Sequence, residues 1–337
     1  MYKNDKQYKA TVLGGGTGSF TILSALKRYP DVSLDAIVAM TDDGGSTGVL
    51  RDELGVLPAG DARQCLVALS QSPNDWREVF TYRFAEGNGL AGHTLGNLII
   101  AGLEQQTGSY EEALERAGRL LQTRGRVLPV TLDNVRLVAQ TPDGRTIRGE
   151  HQIDLKEHPI QSLSFDPVPS ANPRALESIL NSQLVILCPG DLYTSILPTI
   201  LVPGIKEALC DTRAPVIYVC NLMTQRNHTQ GFQVTDFVDL LHRHVGQPFV
   251  NIVLYNIEKP HRILLERYAG EGEELVAFSK QDFAGRSEYY FGYDFLSPAI
   301  HASQPGDHVT RSLIRHHQDR IAHALYRLVK NHRSYRK

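Results

Sequence analysis

The chain predicts an α/β fold of the Rossmann-like type: a doubly wound, mainly parallel sheet with a helical insertion and a small antiparallel hairpin. Three observations carry this prediction. Short apolar runs alternate with helix-period stretches, two of those runs end in glycine-rich turns, and the apolar spacing between about 61 and 125 is helical throughout. A length of 337 residues accommodates one large domain with insertions, and the absence of repeats or low-complexity linkers favours a single domain over 1–337.

Residues 10–13 read as a short strand that enters GGGTGSF, followed by a helix over 21–29 that Pro30 stops. A second buried strand over 34–40 ends in TDDGGSTG, so the opening is one βαβ unit with a parallel pair and a right-handed crossover. Helical blocks follow at 63–69, 76–84, 95–105 and 110–121, as a cover or insertion. Alternation over 135–139 and 146–153 around Pro142-Asp143-Gly144 predicts a hairpin at about 133–155. The α/β rhythm then returns with a helix over 174–181, a strand over 184–187, CPGDLYTS, and a helix toward Leu209. A strand over 216–220, a helix over 234–244 and a strand over 249–255 follow. The last periodic run, 311–329, places Leu313, Ile314, Ile321, Leu325 and Leu328 on one side. It is expected to cap the sheet or pair with a second subunit, and a homo-oligomer is the expected assembly.

Composition narrows the function. Hydrophobic residues make up 42% of the chain and charged residues 21%, which argues against long disordered stretches. With 35 basic and 37 acidic residues the formal net charge is −2, so nothing suggests the cationic grip of a nucleic-acid binder. Cys65, Cys188, Cys210 and Cys220 stand apart, without zinc-ligand spacing, and read as reduced thiols. The polar N-terminus carries no signal peptide, and no stretch approaches the ~20 apolar residues of a membrane span, so a cytoplasmic address is expected.

The chemistry concentrates at the turns. GGGTGSF between strand and helix gathers backbone N–H groups and the positive end of the helix dipole at one point, which favours phosphate. Gly14, Gly15, Gly16 and Gly18 allow close approach, and Thr17 and Ser19 add hydroxyls. The motif lacks the third glycine of a dinucleotide fingerprint and the lysine of a P-loop, so neither a dehydrogenase nor a P-loop NTPase is directly supported. In TDDGGSTG, Asp42 and Asp43 can accept ribose or sugar hydroxyls or hold Mg²⁺, while Gly44, Gly45 and Gly48 keep the loop thin; a solvated turn is the alternative. Asp61 either caps its helix or reaches into the site, with capping favoured, and Arg63 can face a phosphate. His93 and Asn97 share one helix face, as ligand contacts or as packing residues. CPGDLYTSILP repeats the strand, turn, helix logic with Gly190, Asp191, Tyr193, Thr194 and Ser195, and two such turns suit a diphosphate. Asn221, Thr224 and Gln225 in CNLMTQ stand at the same sheet edge, where they would read a base or sugar. No nucleophile, base or metal cluster is assignable, so a hydrolase is poorly supported and no catalytic residue is named.

The series GGGTGS, TDDGGSTGVLR, PAGDAR, GHTLGN, PGDLYTSILP and NLMTQ, spread over nearly the whole chain, resembles the CofD-like superfamily, in particular its gluconeogenesis-factor, UDP-sugar-binding branch. The resemblance implies a cytoplasmic protein needed for cell shape and for growth on gluconeogenic carbon. It implies binding of UDP-N-acetylglucosamine or UDP-glucose, with no established reaction. The sister branch, 2-phospho-L-lactate transferase, uses Mg²⁺ to move a phospholactyl group from a guanosine diphosphate carrier to a deazaflavin. The family also associates a tyrosine in Tyr-x-x-Glu-Gly with the UDP-sugar, and Tyr268 matches it. The chain departs from the pattern at Arg226, Asn227 and His228, where Pro-Gly-Glu is common, and at Cys188 and Asp191, where Gly and Ser are frequent. These changes bear on sugar selectivity more than on the nucleotide site. A UDP-sugar-binding factor is the first reading, a Mg²⁺-dependent phosphotransferase the second, and an NAD-linked dehydrogenase, resting on fold analogy alone, the third.

Overall fold

The computed structural model describes residues 7–72, 74–298 and 313–335. Its strands are β1 (Tyr8–Leu13), β2 (Val32–Val38), β3 (Arg126–Pro129), β4 (Arg136–Gln140), β5 (Thr146–Arg148), β6 (Ser162–Asp166), β7 (Leu184–Leu187), β8 (Val216–Val219), β9 (Ile252–Asn256) and β10 (Tyr289–Tyr293). Among the described residues seven of them form one sheet, in the order β10-β9-β8-β7-β1-β2-β3. Every pair in it is parallel. The register sets Val12 of β1 opposite Ala36 on one side and Ile186 on the other. The four residues of β7 and of β8 are all buried, which is why these runs are uniformly apolar rather than alternating. The expected Rossmann-like α/β fold is the observed one.

The helix after β1, α1 (Gly16–Leu26), begins five residues earlier than its apolar period indicates, so the glycine motif itself forms its first turn. The segment after β2 differs more. Instead of a thin loop, Gly45 opens a helix, α2 (Gly45–Leu54), and Gly48 lies within it because a Cβ there would stand 2.2 Å from the Asp43 carbonyl oxygen. The helical cover is present as α3 (Gly60–Leu69), α4 (Asn74–Thr81), α5 (Leu95–Thr107) and α6 (Tyr110–Leu120), with α3 packed on α1.

The hairpin is only partly as expected. Its second strand stops at Arg148, where Gly149 (φ 96°) turns the chain into a short helix, α7 (Glu150–Asp154). The period-2 pattern of residues 146–153 hid this break because Ile147 and Ile153 remain inward in both readings. β4 pairs antiparallel with β5 and also with β6, giving a three-stranded sheet where a two-stranded hairpin was expected.

The second half carries α8 (Pro173–Leu180), a π-helical turn at Leu192–Ile196 leading into α9 (Leu197–Ile200), then α10 (Ile205–Asp211), α11 (Val234–Val245) and α12 (Arg262–Gly270). The final helix, α13 (Gln318–Lys330), is shorter than the periodic run; residues 311 and 312 lie outside the described residues, and Leu313 and Ile314 precede the helix. Ile321, Leu325 and Leu328 are buried, and α13 packs on α1, so it caps the sheet. Among the described residues no helix is long and apolar enough to cross a membrane.

Candidate functional site

The sheet order reverses between β1 and β7, and in an open parallel sheet the crevice at such a reversal, beyond the carboxyl ends of the strands, is the ligand side. The two glycine turns leave these two strands, so the fold brings together motifs 170 residues apart in sequence. Gly14 (φ 131°) lets the chain leave β1 while its N–H still donates to the Ile37 carbonyl at 3.1 Å. Contact between the turns is tight: a Cβ on Gly18 would stand 1.7 Å from the Pro189 carbonyl oxygen. Gly14 and Gly15 are buried, whereas Thr17 is exposed and Gly16 and Gly18 are partly so. Ser19 is buried beneath the turn, on the Cys188 side.

The amides of Gly15 to Gly18 lead into α1 and lack intrahelical acceptors. That of Gly16 donates to Oδ1 of Asp61 at 2.8 Å, and no side chain among the described residues accepts from the others. Asp61 therefore does not cap its own helix. It reaches from α3 to the start of α1, packing so closely on Gly15 that a Cβ there would lie 1.6 Å from Oδ2.

Asp61 has acidic company. Asp42 accepts from the Gly44 N–H at 3.0 Å through Oδ1, and its Oδ2 lies against Gly60, where a Cβ would be 2.8 Å away. Glu150, from α7, accepts from the Thr41 hydroxyl. All three residues keep some solvent contact, as walls of an indentation do. Burial, then the Asp42 charge, pushes the Asp61 carboxyl up to about 7. Burial likewise raises Asp42, and burial with the Asp42 charge raises Glu150 well above the usual range. Glu150 was missed in the sequence because it was assigned to a strand; an acid directly after a glycine at a helix start was the available signal.

Asp43, paired with Asp42 in the sequence, is used differently. Its Oδ1 accepts from the His151 N–H at 2.8 Å, at the start of α7, and its Oδ2 faces Arg136 at 3.3 Å. It fastens the small sheet to the end of β2. The hard oxygen donors of Asp42, Asp61 and Glu150 suit Mg²⁺ in kind, although among the described residues no three potential ligands converge as a metal-binding set.

Arg63, His93 and Asn97 are buried in the helical cover. Arg63 Nε donates to Asn97 Oδ1 at 2.8 Å and an Nη to the Phe80 carbonyl at 3.3 Å; His93 Nδ1 lies 2.8 Å from Ser46 Oγ, and Asn97 Nδ2 donates to the same oxygen at 3.4 Å. His93 lies before α5 rather than on the helix face expected for it; it and Asn97 both meet Ser46 of α2, and the Arg63 guanidinium is engaged with protein.

At the second turn, Asp191 Oδ1 accepts from the N–H groups of Tyr193 and Thr194 at 3.0 and 3.1 Å. Asn221 holds Gly190 from both sides, accepting its N–H at 3.2 Å and donating to its carbonyl at 2.7 Å. Ser195 is partly accessible, and Thr224 is tied to Glu274 through backbone and hydroxyl. Gln225 donates its N–H to Thr229 Oγ1. Tyr268 is buried, with its hydroxyl accepting from the Leu313 N–H at 2.7 Å. Surface grooves of about 440, 640 and 590 Å³ lie elsewhere and are lined by none of the glycine-turn residues.

The family model described as 2-phospho-L-lactate transferase CofD matches residues 10–288. The chain belongs to the CofD family. It is 43% identical over 274 residues to a protein of Thermotoga maritima named "Putative gluconeogenesis factor", covering 81% of this chain and 87% of that one. A Streptococcus pneumoniae protein of the same name is 42% identical over 284 residues, covering 82% and 86%. A crystal structure of a UPF0052 family member from Bacillus halodurans superposes with a TM-score of 0.88 at 33% identity, over 95% of this chain and 99% of that one. Of the motif series that carries the family resemblance, GGGTGS, TDDGGSTG, PGDLYTS and NLMTQ follow strands of the main sheet, whereas PAGDAR and GHTLGN belong to the helical cover, from which Asp61 reaches the first turn.

Proposed function

We propose that the crevice at the β1/β7 reversal binds a nucleotide diphosphate, most specifically a UDP-sugar such as UDP-N-acetylglucosamine or UDP-glucose. In this reading the protein is a binding factor that supports cell shape and growth on gluconeogenic carbon. One observation carries the proposal: two glycine turns from non-consecutive strands meet where the strand order reverses, and on the solvent-touching first turn the amides of Thr17 and Gly18 have no side-chain acceptor among the described residues, while that of Gly16 is held by Asp61. The relatives named for gluconeogenesis support the physiological half of the reading. The ligand-side contacts assigned to Thr17, Asp42 and Gly190 belong to it as well.

Titration calorimetry of the full chain with UDP-N-acetylglucosamine, UDP-glucose, GDP and NAD tests it. Saturable heat with a uridine ligand is expected; a folded sample that gives none with either sugar nucleotide defeats the proposal.

A second reading is favoured by the three coupled carboxylates Asp42, Asp61 and Glu150 and by the description of the matching family model. There Asp42, Asp61 and Glu150 would be the residues to hold Mg²⁺, which would supply charge neutralisation for a diphosphate during transfer of a phosphoryl-linked group. Product from a guanosine-linked phospholactate, a deazaflavin and Mg²⁺ would establish it; no turnover at high protein concentration removes it.

A further inference from the structure

Beyond the second turn lies a group of polar atoms with nothing to bond. His228 is 5% exposed, and neither ring nitrogen has a hydrogen-bond partner. Gln225 Oε1 and Asp191 Oδ2 are buried and also lack a hydrogen-bond partner, with the Lys156 ammonium and the Asp154 carboxyl beside Asp191. Buried polar groups are nearly always satisfied, so unsatisfied ones on neighbouring turns call for an outside partner.

Their surroundings are built. Tyr193 meets the His228 ring edge to face, with centroids 5.1 Å apart. Lys156 Nζ stands 3.8 Å from Asp191 Oδ2, within ion-pair range but too far for a direct hydrogen bond. Lys156 (φ 55°) and Asn227 (φ 60°) both hold left-handed backbone, and Asn227 Nδ2 donates to the Lys156 carbonyl at 2.7 Å. Two residues in a costly conformation, bonded to each other, fix the 225–229 turn against the chain leaving α7.

The inventory selects the partner's chemistry. Asp191 Oδ2 and Gln225 Oε1 only accept, while a neutral imidazole offers one donor and one acceptor. Phosphate oxygens are acceptors and would face two acceptors. Adjacent hydroxyls, each able to donate and to accept, match the set. We infer that His228, with Asp191 Oδ2 and Gln225 Oε1, forms a hydroxyl-reading subsite for the sugar of the nucleotide-linked ligand, with His228 as its specificity-determining residue. The inference rests on the nucleotide reading above and assigns to His228 a role that the amide turns do not supply.

Calorimetry of the full chain with UDP-N-acetylglucosamine and with UDP separates the two claims. His228→Phe keeps the ring and removes both nitrogens. It is expected to weaken the sugar nucleotide about tenfold while leaving UDP within about twofold, as the loss of one or two hydrogen bonds implies. Gln225→Met, which keeps chain length, should shift the same ratio in the same direction, and His228→Asn should recover part of it. Equal weakening of both ligands, or no change for the sugar nucleotide in folded His228→Phe and Gln225→Met, overturns the subsite. Wild-type protein that binds UDP no less tightly than the sugar nucleotide also overturns it and leaves the nucleotide reading standing. Wild-type protein that binds neither defeats both.

Discussion

The two turns that meet at the crevice start their helices in opposite ways. At the second, Asp191 satisfies the amides of Tyr193 and Thr194, two and three residues ahead of it, as an ordinary local cap does. At the first, the Gly16 amide is met by Asp61 from another helix, 45 residues further along, and this carboxyl titrates at about 7 rather than in the normal aspartate range. The local cap belongs to one helix and costs the fold little. The distant one couples the start of α1 to α3 and to Asp42, making the electrostatics of the first turn a property of the whole cleft.

The comparison breaks most severely at the point where the turns touch. Gly18→Ala places a Cβ against the Pro189 carbonyl, a backbone atom that cannot swing away. It should cost about 2–4 kcal/mol in urea unfolding and weaken nucleotide binding with it. A loss under about 0.5 kcal/mol would show that the turns are free to separate.

Asp61→Asn sharpens the contrast. The amide oxygen still accepts from Gly16, but the group no longer ionises. In the native protein Asp61 holds its proton more tightly than the ordinary value of 3.8, so its contribution is fully present below about 4 and is lost as the pH rises to about 7. The variant should therefore flatten the fall in stability across that window and gain roughly 1–3 kcal/mol near pH 8. Parallel pH profiles for variant and wild type, measured by urea unfolding, would contradict the assignment. Asp191→Asn should do least, staying within about 0.5 kcal/mol because asparagine caps as well as aspartate. A drop above about 1.5 kcal/mol would mean that Asp191 carries more of the fold than its cap.

Most of the main sheet was legible because buried parallel strands are short, continuous apolar runs, as at residues 184–187 and 216–219. Both glycine turns were legible from glycine between strand and helix. The start of α2 was not, since glycine and aspartate at 42–48 signal a turn whether or not a helix follows. Glu150 and the Lys156–Asn227 contact were also hidden, because they join segments far apart in sequence, which no local period encodes. The neighbouring acids Asp42 and Asp43 look equivalent in sequence, and only tertiary partners separate them.

That separation has a mechanical consequence. Asp42 lines the cleft and Asp43 grips Arg136 and the start of α7, so a single peptide unit gears the inner wall to the three-stranded sheet. The position of Glu150 relative to Asp42 is thereby set by main-chain spacing, and the width of the cleft is calibrated from outside the Rossmann-like core.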